Sequence, residues 1–253
     1  MMIKIDHIAL ASHDFRKTTG ALGILGYSAE FCERGVPNLK IKEHLLSQPG
    51  PTHDLSLLRS GDNLGIELLD HGSCGSREPY IRPVFENVPS RFLEGSRVLG
   101  NGRYGFREQE YGFDADITVS DDPADPAFHF TRFRVPAEDL AESARFWEQF
   151  GFRTRSTGED VVLLEFSSSL HRKTFRLELE RADHVRGDFL LDDAGFNCIA
   201  IVSTSPARDR DLLAKKGIAI TGTEHLLLAG KNLTIAFCTG PCGEPVEIIG
   251  YAP

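Results

Sequence analysis

The feature that most constrains this chain is a pattern that recurs in it: strand, helix, helix-ending glycine, strands, and a closing strand that carries a glutamate. It is most complete in residues 195 to 251. There Phe196-Asn197-Cys198-Ile199-Ala200-Ile201-Val202 is a β-rich apolar run, and Ser205-Pro206 opens a helix with proline at its first position. Gly217 ends that helix. Strands follow at Ile218 to Ile220, Leu226 to Leu228 and Leu233 to Cys238, and after the turn Gly240-Pro241-Cys242-Gly243 comes Val246-Glu247-Ile248-Ile249. A carboxylate between apolar neighbours on a closing strand costs free energy unless something there engages it.

The start of the chain repeats this order. Ile3 to Leu10 is a strand in which alternation puts His7 on one face with Ile5 and Ala9. Asp14 caps a helix that Gly26 closes; Leu39 to Leu46 and Asp54 to Leu58 are read as middle strands, and Gly65 to Leu69 closes the unit with Glu67. A third copy has Phe130 to Val135 as first strand. Its helix, Asp139 to Phe150, lines Leu140, Ala144, Trp147 and Phe150 along one face, and its closing strand carries Glu178. His7 to Gly26 and Cys198 to Gly217 both span 19 residues, and Phe130 to Gly151 spans 21. Equal spacing through a strand and a helix marks one repeated supersecondary unit.

Between Gly72 and Phe128 there is room for one more unit. Tyr80 to Glu86 reads as a strand, Val88 to Glu94 as a short helix, and Tyr104 to Tyr111 and Phe113 to Val119 as two strands, with Asp116 near the closing carboxylate. The stretch is either a degenerate unit or a linker carrying a hairpin. Residues 121 to 126, polar and broken by prolines, suit a domain junction. The expected architecture is α+β: an N-terminal domain 1–127 (modules 1–72 and 73–127) and a C-terminal domain 128–253 (modules 128–182 and 195–253), each cupping a pocket with mixed sheets.

Composition narrows the function. A net charge of −9 with no basic stripe argues against nucleic acid and anionic membranes, leaving a small molecule as the expected partner. No apolar run approaches a membrane span and the chain enters a strand directly, so a cytoplasmic location is expected. Five cysteines, an odd number, are expected as reduced thiols. No phosphate loop, nucleophile elbow or dinucleotide fingerprint is present.

With His7-Ile8-Ala9-Leu10, Phe133-Arg134-Val135-Pro136, Cys198-Ile199-Ala200-Ile201 and Gly243-Glu244-Pro245-Val246-Glu247 in view, the chain resembles the vicinal oxygen chelate superfamily. That group includes glyoxalase I, bleomycin-resistance proteins, extradiol dioxygenases and methylmalonyl-CoA epimerases. The resemblance covers roughly 180 residues. It implies paired βαβββ modules curled around a cavity, often completed across a homodimer, and in the enzymes a divalent ion (Ni, Zn, Mn or Fe) held by a first-strand histidine and a closing-strand glutamate. Carried over, His7 and Glu67 fit as metal ligands, with Glu67 also catalytic. Phe130, Glu178, Cys198 and Glu247 fall at the matching places of the later modules and are read as pocket residues, Phe130 as a wall that cannot bind metal. His53 and Asp116 are candidate further donors, and Glu247 is expected to lie outside the metal set.

Other readings stand beside these. His7 is also read as a strand histidine hydrogen-bonded in a pocket, Glu178 and Glu247 as partners of Arg132 and Arg134, and Cys198, Cys238 and Cys242 as small buried residues rather than a thiolate site. Two functions follow. One is a metal-dependent lyase, isomerase or dioxygenase acting on a small oxygenated metabolite; the other is a metal-free protein that binds an antibiotic or metabolite between aromatic side chains.

Overall fold

The computed structural model describes residues 2–72, 80–107, 111–113, 115–121, 127–168 and 174–251. Cys74, Ser169 and most of the expected junction, residues 122 to 126, lie outside them.

The first module is β1 (Met2–Ala11), α1 (Phe15–Gly23), β2 (Ser28–Pro37), β3 (Thr52–Arg59) and β4 (Gly65–Asp70), with a 3-10 turn (Lys40–Leu45) between β2 and β3. Residues 82 to 120 run β5 (Arg82–Glu86), α2 (Ser90–Leu93), β6 (Arg97–Gly100), β7 (Arg103–Phe106) and β8 (Ala115–Ser120). Next come β9 (His129–Ala137), α3 (Leu140–Glu148), β10 (Arg153–Thr157), β11 (Val161–Ser167) and β12 (Thr174–Arg181). The last module is β13 (Gly195–Ser203), α4 (Pro206–Lys215), β14 (Ala219–Ile220), β15 (Glu224–Leu228), β16 (Lys231–Thr239) and β17 (Pro245–Tyr251).

Local chemistry accounts for the helices. Asp14 accepts the Lys17 N–H at 2.9 Å, and Asp139 accepts those of Ala141 and Glu142, each satisfying donors that a helix start leaves open. Gly151, at φ +97°, follows α3 in the left-handed conformation that L side chains avoid. Leu140, Ala144, Trp147 and Phe150 are all buried, as their spacing along one face requires.

Two curled mixed sheets result, and their composition departs from the expected pairing. Strand order in one is β14-β16-β17-β13-β1-β4-β3-β2, with β15 alongside β16; in the other it is β10-β11-β12-β9-β5-β8-β7-β6. Thus the first module shares a sheet with the last, and the second with the third, instead of neighbours pairing along the chain. In each sheet the first strands of two modules meet antiparallel, β1 with β13 and β5 with β9, and each closing strand lies parallel to its own first strand. Glu67 and Glu247 are thereby brought to either side of one central strand pair.

Both faces of the β1–β13 sheet are buried. Ile8, Leu10, Ile66 and Ile248 join the large core that also holds Phe133, Leu177 and the helix residues Leu22 and Trp147. Ala9, Leu55, Leu69, Cys198 and Ile235 point the other way and line a smaller apolar cluster. Ile5, expected to share a face with Ala9, belongs to the large core instead. The cause is a bulge: Ile5 pairs with Ile201 and His7 with Ala200, so Asp6 is an extra residue on β1 and the alternation resets between Ile5 and His7.

A second correction concerns residues 39 to 46, read as a strand. They form the 3-10 turn, and the strand is β2, whose mostly exposed residues lack a two-residue apolar alternation. Among the described residues no helix is long and apolar enough to cross a membrane.

Candidate metal and ligand site

His7 projects from the bulge of β1 and is 3% exposed. Its Nδ1 lies 3.1 Å from Asp6 Oδ2; its Nε2 lies 3.3 Å from Glu67 Oε2 and 3.5 Å from Glu247 Oε2. One ligand atom from each of His7, Glu67 and Glu247 falls within a sphere of contacts no longer than 4.8 Å. The bulge is what allows Asp6 and His7, consecutive residues, to face the same side.

Asp6 is itself fixed. Lys4 Nζ lies 2.5 Å from Oδ1, Arg59 Nη2 donates to Oδ2 at 2.8 Å, and Arg59 Nη1 donates to the Asp6 carbonyl at 2.6 Å. That approach passes directly over Gly65, where a Cβ would press on Arg59 and stand 2.8 Å from the Asp6 carbonyl. Burial would raise the Asp6 carboxyl, but His7, Arg59 and Lys4 hold it well below the usual range. Burial likewise opposes the His7 imidazolium, yet Glu67, Asp6 and Glu247 together raise its pKa well above the ordinary value. Glu67 answers in kind: burial pushes it up and the His7 charge brings it down, with a net lowering.

Two cavities flank the three residues. Lys4, Asp6, His7, Arg59 and Glu67 line one of about 170 Å³. Lys42, His53, Glu67, Cys198 and Glu247 line another of about 40 Å³, whose remaining wall is aliphatic and aromatic. Glu67 borders both. Lys42, on the 3-10 turn, is 7% exposed, and its Nζ lies 3.5 Å from His53 Nε2. His53 stacks on His71 with ring centroids 4.8 Å apart. Burial and the Lys42 charge push His53 down to about 2 and His71 to about 3, so both rings are neutral near pH 7.

The donors suit a divalent ion. Among the described residues His7 Nε2 makes no well-aligned hydrogen bond, although the Glu67 and Glu247 carboxylates face it at 3.3 and 3.5 Å. Bonds of about 2.1 Å in a tetrahedral shell set donors roughly 3.4 Å apart, close to the 3.3 and 3.5 Å from His7 Nε2 to the two carboxylates. An imidazole with two carboxylates is an oxygen-rich set suited to Mn²⁺, Fe²⁺ or Zn²⁺, and the Asp6 carboxylate on Nδ1 is the usual outer partner of a ligating histidine. Three protein donors also leave positions open for a ligand.

The other sequence candidates fall in different places. Cys198 stands on β13 at the position His7 has on β1, since Ala9 pairs with Glu67 and Ala200 with Glu247. Burial and the nearby glutamates raise its thiol well above its ordinary value, so it stays protonated. Cys238 lies in the opposite core, and the three thiols of the last module form no common site. His53 Nε2 faces Lys42. Glu247, expected outside the metal set, is part of the triad, because the first and last modules share a sheet.

Phe130 lines neither of the two cavities: fully buried, it packs on Phe85 at 4.9 Å and Phe196 at 6.2 Å in the large core. Glu178 is in the second sheet, 2.6 Å from Arg134 Nε and 3.4 Å from Arg132 Nη1. Asp116 pairs with Arg103 at 3.0 Å. Lys42, Asp6 and Arg59 escaped the sequence reading. A lysine inside the apolar run Leu39 to Leu46 was the available sign of the first.

No protein-family model matches the sequence, and no curated protein matches it. Solved structures do. A glyoxalase I variant from Zea mays superposes with a TM-score of 0.62 at 16% identity, over 98% of this chain and 92% of that one. Glyoxalase I from Zea mays gives 0.59 at 15% identity, over 98% and 92%. A candidate dioxygenase from Bacillus subtilis subsp. subtilis str. 168 gives 0.63 at 14% identity, over 100% and 86%. At these identities the likeness is one of fold, and the fold is that of the vicinal oxygen chelate proteins.

Proposed function

We propose that the chain is a metal-dependent enzyme of the glyoxalase/dioxygenase type, a lyase, isomerase or dioxygenase, that holds a divalent ion through His7, Glu67 and Glu247 and acts on a small oxygenated metabolite. The observation that carries this reading is the convergence of the buried Nε2 of His7 and two carboxylates at 3.3 and 3.5 Å, with no well-aligned hydrogen bond to it among the described residues. Such an ion, when bound, supplies Lewis-acid polarisation of adjacent substrate oxygens.

The chain's own residues do the rest. Asp6 fixes the tautomer and plane of His7, and Arg59 and Lys4 fix Asp6. Glu67, bordering both cavities, is the carboxylate placed to accept a proton from a substrate carbon or hydroxyl. The apolar wall of Leu55, Leu69, Leu191 and Phe237 keeps bulk water away and strengthens these charges. A cytoplasmic location, a small-molecule partner and a homodimer go with this reading.

A second reading has one observation in its favour. An imidazolium at His7 among Asp6, Glu67 and Glu247 offsets buried negative charge without any ion, as a metal-free antibiotic- or metabolite-binding protein would need. Calorimetric titration with Mn²⁺, Fe²⁺, Ni²⁺ and Zn²⁺ separates the two. The enzyme reading expects one site per chain, lost in His7→Ala, Glu67→Ala and Glu247→Ala alike. If wild-type protein binds no ion more tightly than the triple variant, the binding-protein reading replaces it.

A further inference from the structure

Lys42 is a buried lysine with no carboxylate within ion-pair distance among the described residues; burial pulls its pKa down, and the more distant charges of Glu67 and Glu247 pull it back up. Its nearest polar partner is the neutral His53 ring, 3.5 Å away. An uncompensated ammonium in an apolar wall is costly, and a lysine normally escapes the cost by extending its flexible stem to water.

The backbone here holds it in. The turn that bears Lys42 is tied at both ends: Lys40 N–H donates to Glu224 Oε2 at 2.9 Å, Leu191 N–H to the Leu45 carbonyl at 2.8 Å, and Ser47 N–H to the Asp192 carboxylate at 3.0 Å. These ties come from segments nearly 150 residues or more away in sequence, so the turn is clamped over the cavity rather than hung from its own loop.

Charge makes the placement informative. In the loaded site the two carboxylates of Glu67 and Glu247 cancel a divalent ion, and a ligating imidazole is neutral. His53 is neutral as well. Lys4 and Arg59 are offset by Asp6 and Glu30, so one positive charge is left over, on Lys42, and it faces the same small cavity as Glu67 and Glu247. A neutral ligand would leave that charge buried and unmatched.

We propose that Lys42 is a specificity-determining binding residue and that the ligand is a small monoanionic acid, its anionic oxygen at the Lys42 ammonium and its adjacent oxygen toward the His7–Glu67–Glu247 site. This rests on the metal reading above. The cavity volume of about 40 Å³ limits the part seated there to a few heavy atoms.

The test uses full-length zinc-loaded protein and two ligands of nearly equal size, glycolate and neutral glycolamide, by calorimetry. Zinc itself favours a carboxylate over an amide, so the diagnostic quantity is the change on substitution. In Lys42→Met, which keeps the methylene stem, the glycolate dissociation constant should rise tenfold or more while that of glycolamide changes less than twofold. Zinc affinity should stay at the wild-type value or improve. Lys42→Gln serves if the methionine variant does not fold, with the same expectation, and Lys42→Arg should keep glycolate within about threefold of wild type. Zinc binding with equal glycolate affinity in wild type and Lys42→Met would overturn this inference alone. A wild-type protein that takes no zinc would instead overturn the metal reading, and this inference with it.

Discussion

Arg132 holds in the second sheet the register position that His7 holds in the first. Ala9 pairs with Glu67 and Arg134 with Glu178, and His7 and Arg132 each stand two residues earlier on their strands. The guanidinium of Arg132 reaches Glu178 at 3.4 Å and Glu86 at 3.6 Å, and Arg134 binds Glu178 at 2.6 Å. By the same register Thr118 stands where Glu247 does. One sheet thus gathers carboxylates around an imidazole, and the other meets its remaining glutamate with fixed cations of its own.

The ion pairs of the second sheet are therefore expected to act in stability rather than in metal binding. Glu178→Ala leaves two partly buried guanidinium groups short of a partner, and should lower unfolding free energy by about 1–3 kcal/mol. Metal stoichiometry should not change. Urea unfolding of the metal-free protein, with a metal titration on the same variant, checks both, and a drop in bound metal would show that the two sheets share the function.

The repeated module was legible because its signals are local: a capping aspartate, a glycine at positive φ, a helix face at fixed spacing. His7 and Glu67 were legible for the same reason, as two places in one module. What the sequence did not disclose was which modules share a sheet, since β1, β5, β9 and β13 all read as apolar first strands and nothing local chooses among them. Glu247 therefore seemed remote from His7. Phe130 was matched to His7 through loop-dependent offsets, whereas strand register shows the match to be Arg132. The bulge at Asp6 left no mark in the apolar pattern, and the alternation rule placed Ile5 on the wrong face.

Asp6→Asn tests the outer support of the histidine. The amide keeps the shape but removes the charge that holds the imidazole, and losses of about 10- to 100-fold in metal affinity are typical for such partners. The pKa of His7 should also fall, with Glu67 and Glu247 still holding it up, because Asp6 is one of the three groups that raise it. Nuclear magnetic resonance titration of His7 together with calorimetry measures both effects. Unchanged affinity would mean that the β-bulge alone orients the ring.

Gly65→Ala tests the same support from the other side. The added methyl would stand 2.8 Å from the Asp6 carbonyl and collide with the Arg59 guanidinium, so Arg59 must withdraw from Asp6. Overpacking of this kind costs about 1–3 kcal/mol. Metal affinity should fall with stability. Arg59→Met removes the collision with the guanidinium but not the contact with the Asp6 carbonyl, so it should restore only part of the stability of Gly65→Ala and none of its metal affinity; no recovery of stability in the double variant would show that the backbone contact carries the cost.

Glu244 supplies a pH dependence that is independent of the metal site. Fully buried in the turn before β17, it accepts the Cys242 N–H at 2.9 Å, and its other carboxyl oxygen has no well-aligned hydrogen bond among the described residues. Burial raises its pKa from 4.5 to about 7, against the opposing effect of backbone hydrogen bonds. A carboxyl whose folded pKa exceeds its unfolded value binds its proton more tightly when folded. Its contribution is therefore fully present below about pH 4.5 and is lost as pH rises toward and through 7. The window corresponds to about 3 kcal/mol across roughly two and a half pH units. Metal-free protein should lose that much unfolding free energy from this residue between pH 4.5 and 8, superimposed on the other groups. Glu244→Gln keeps the hydrogen bond, cannot ionise, and should remove this component, so the difference between the two stability curves should widen with pH. A difference that stays constant from pH 5 to 8 would show that Glu244 is ionised in the fold throughout.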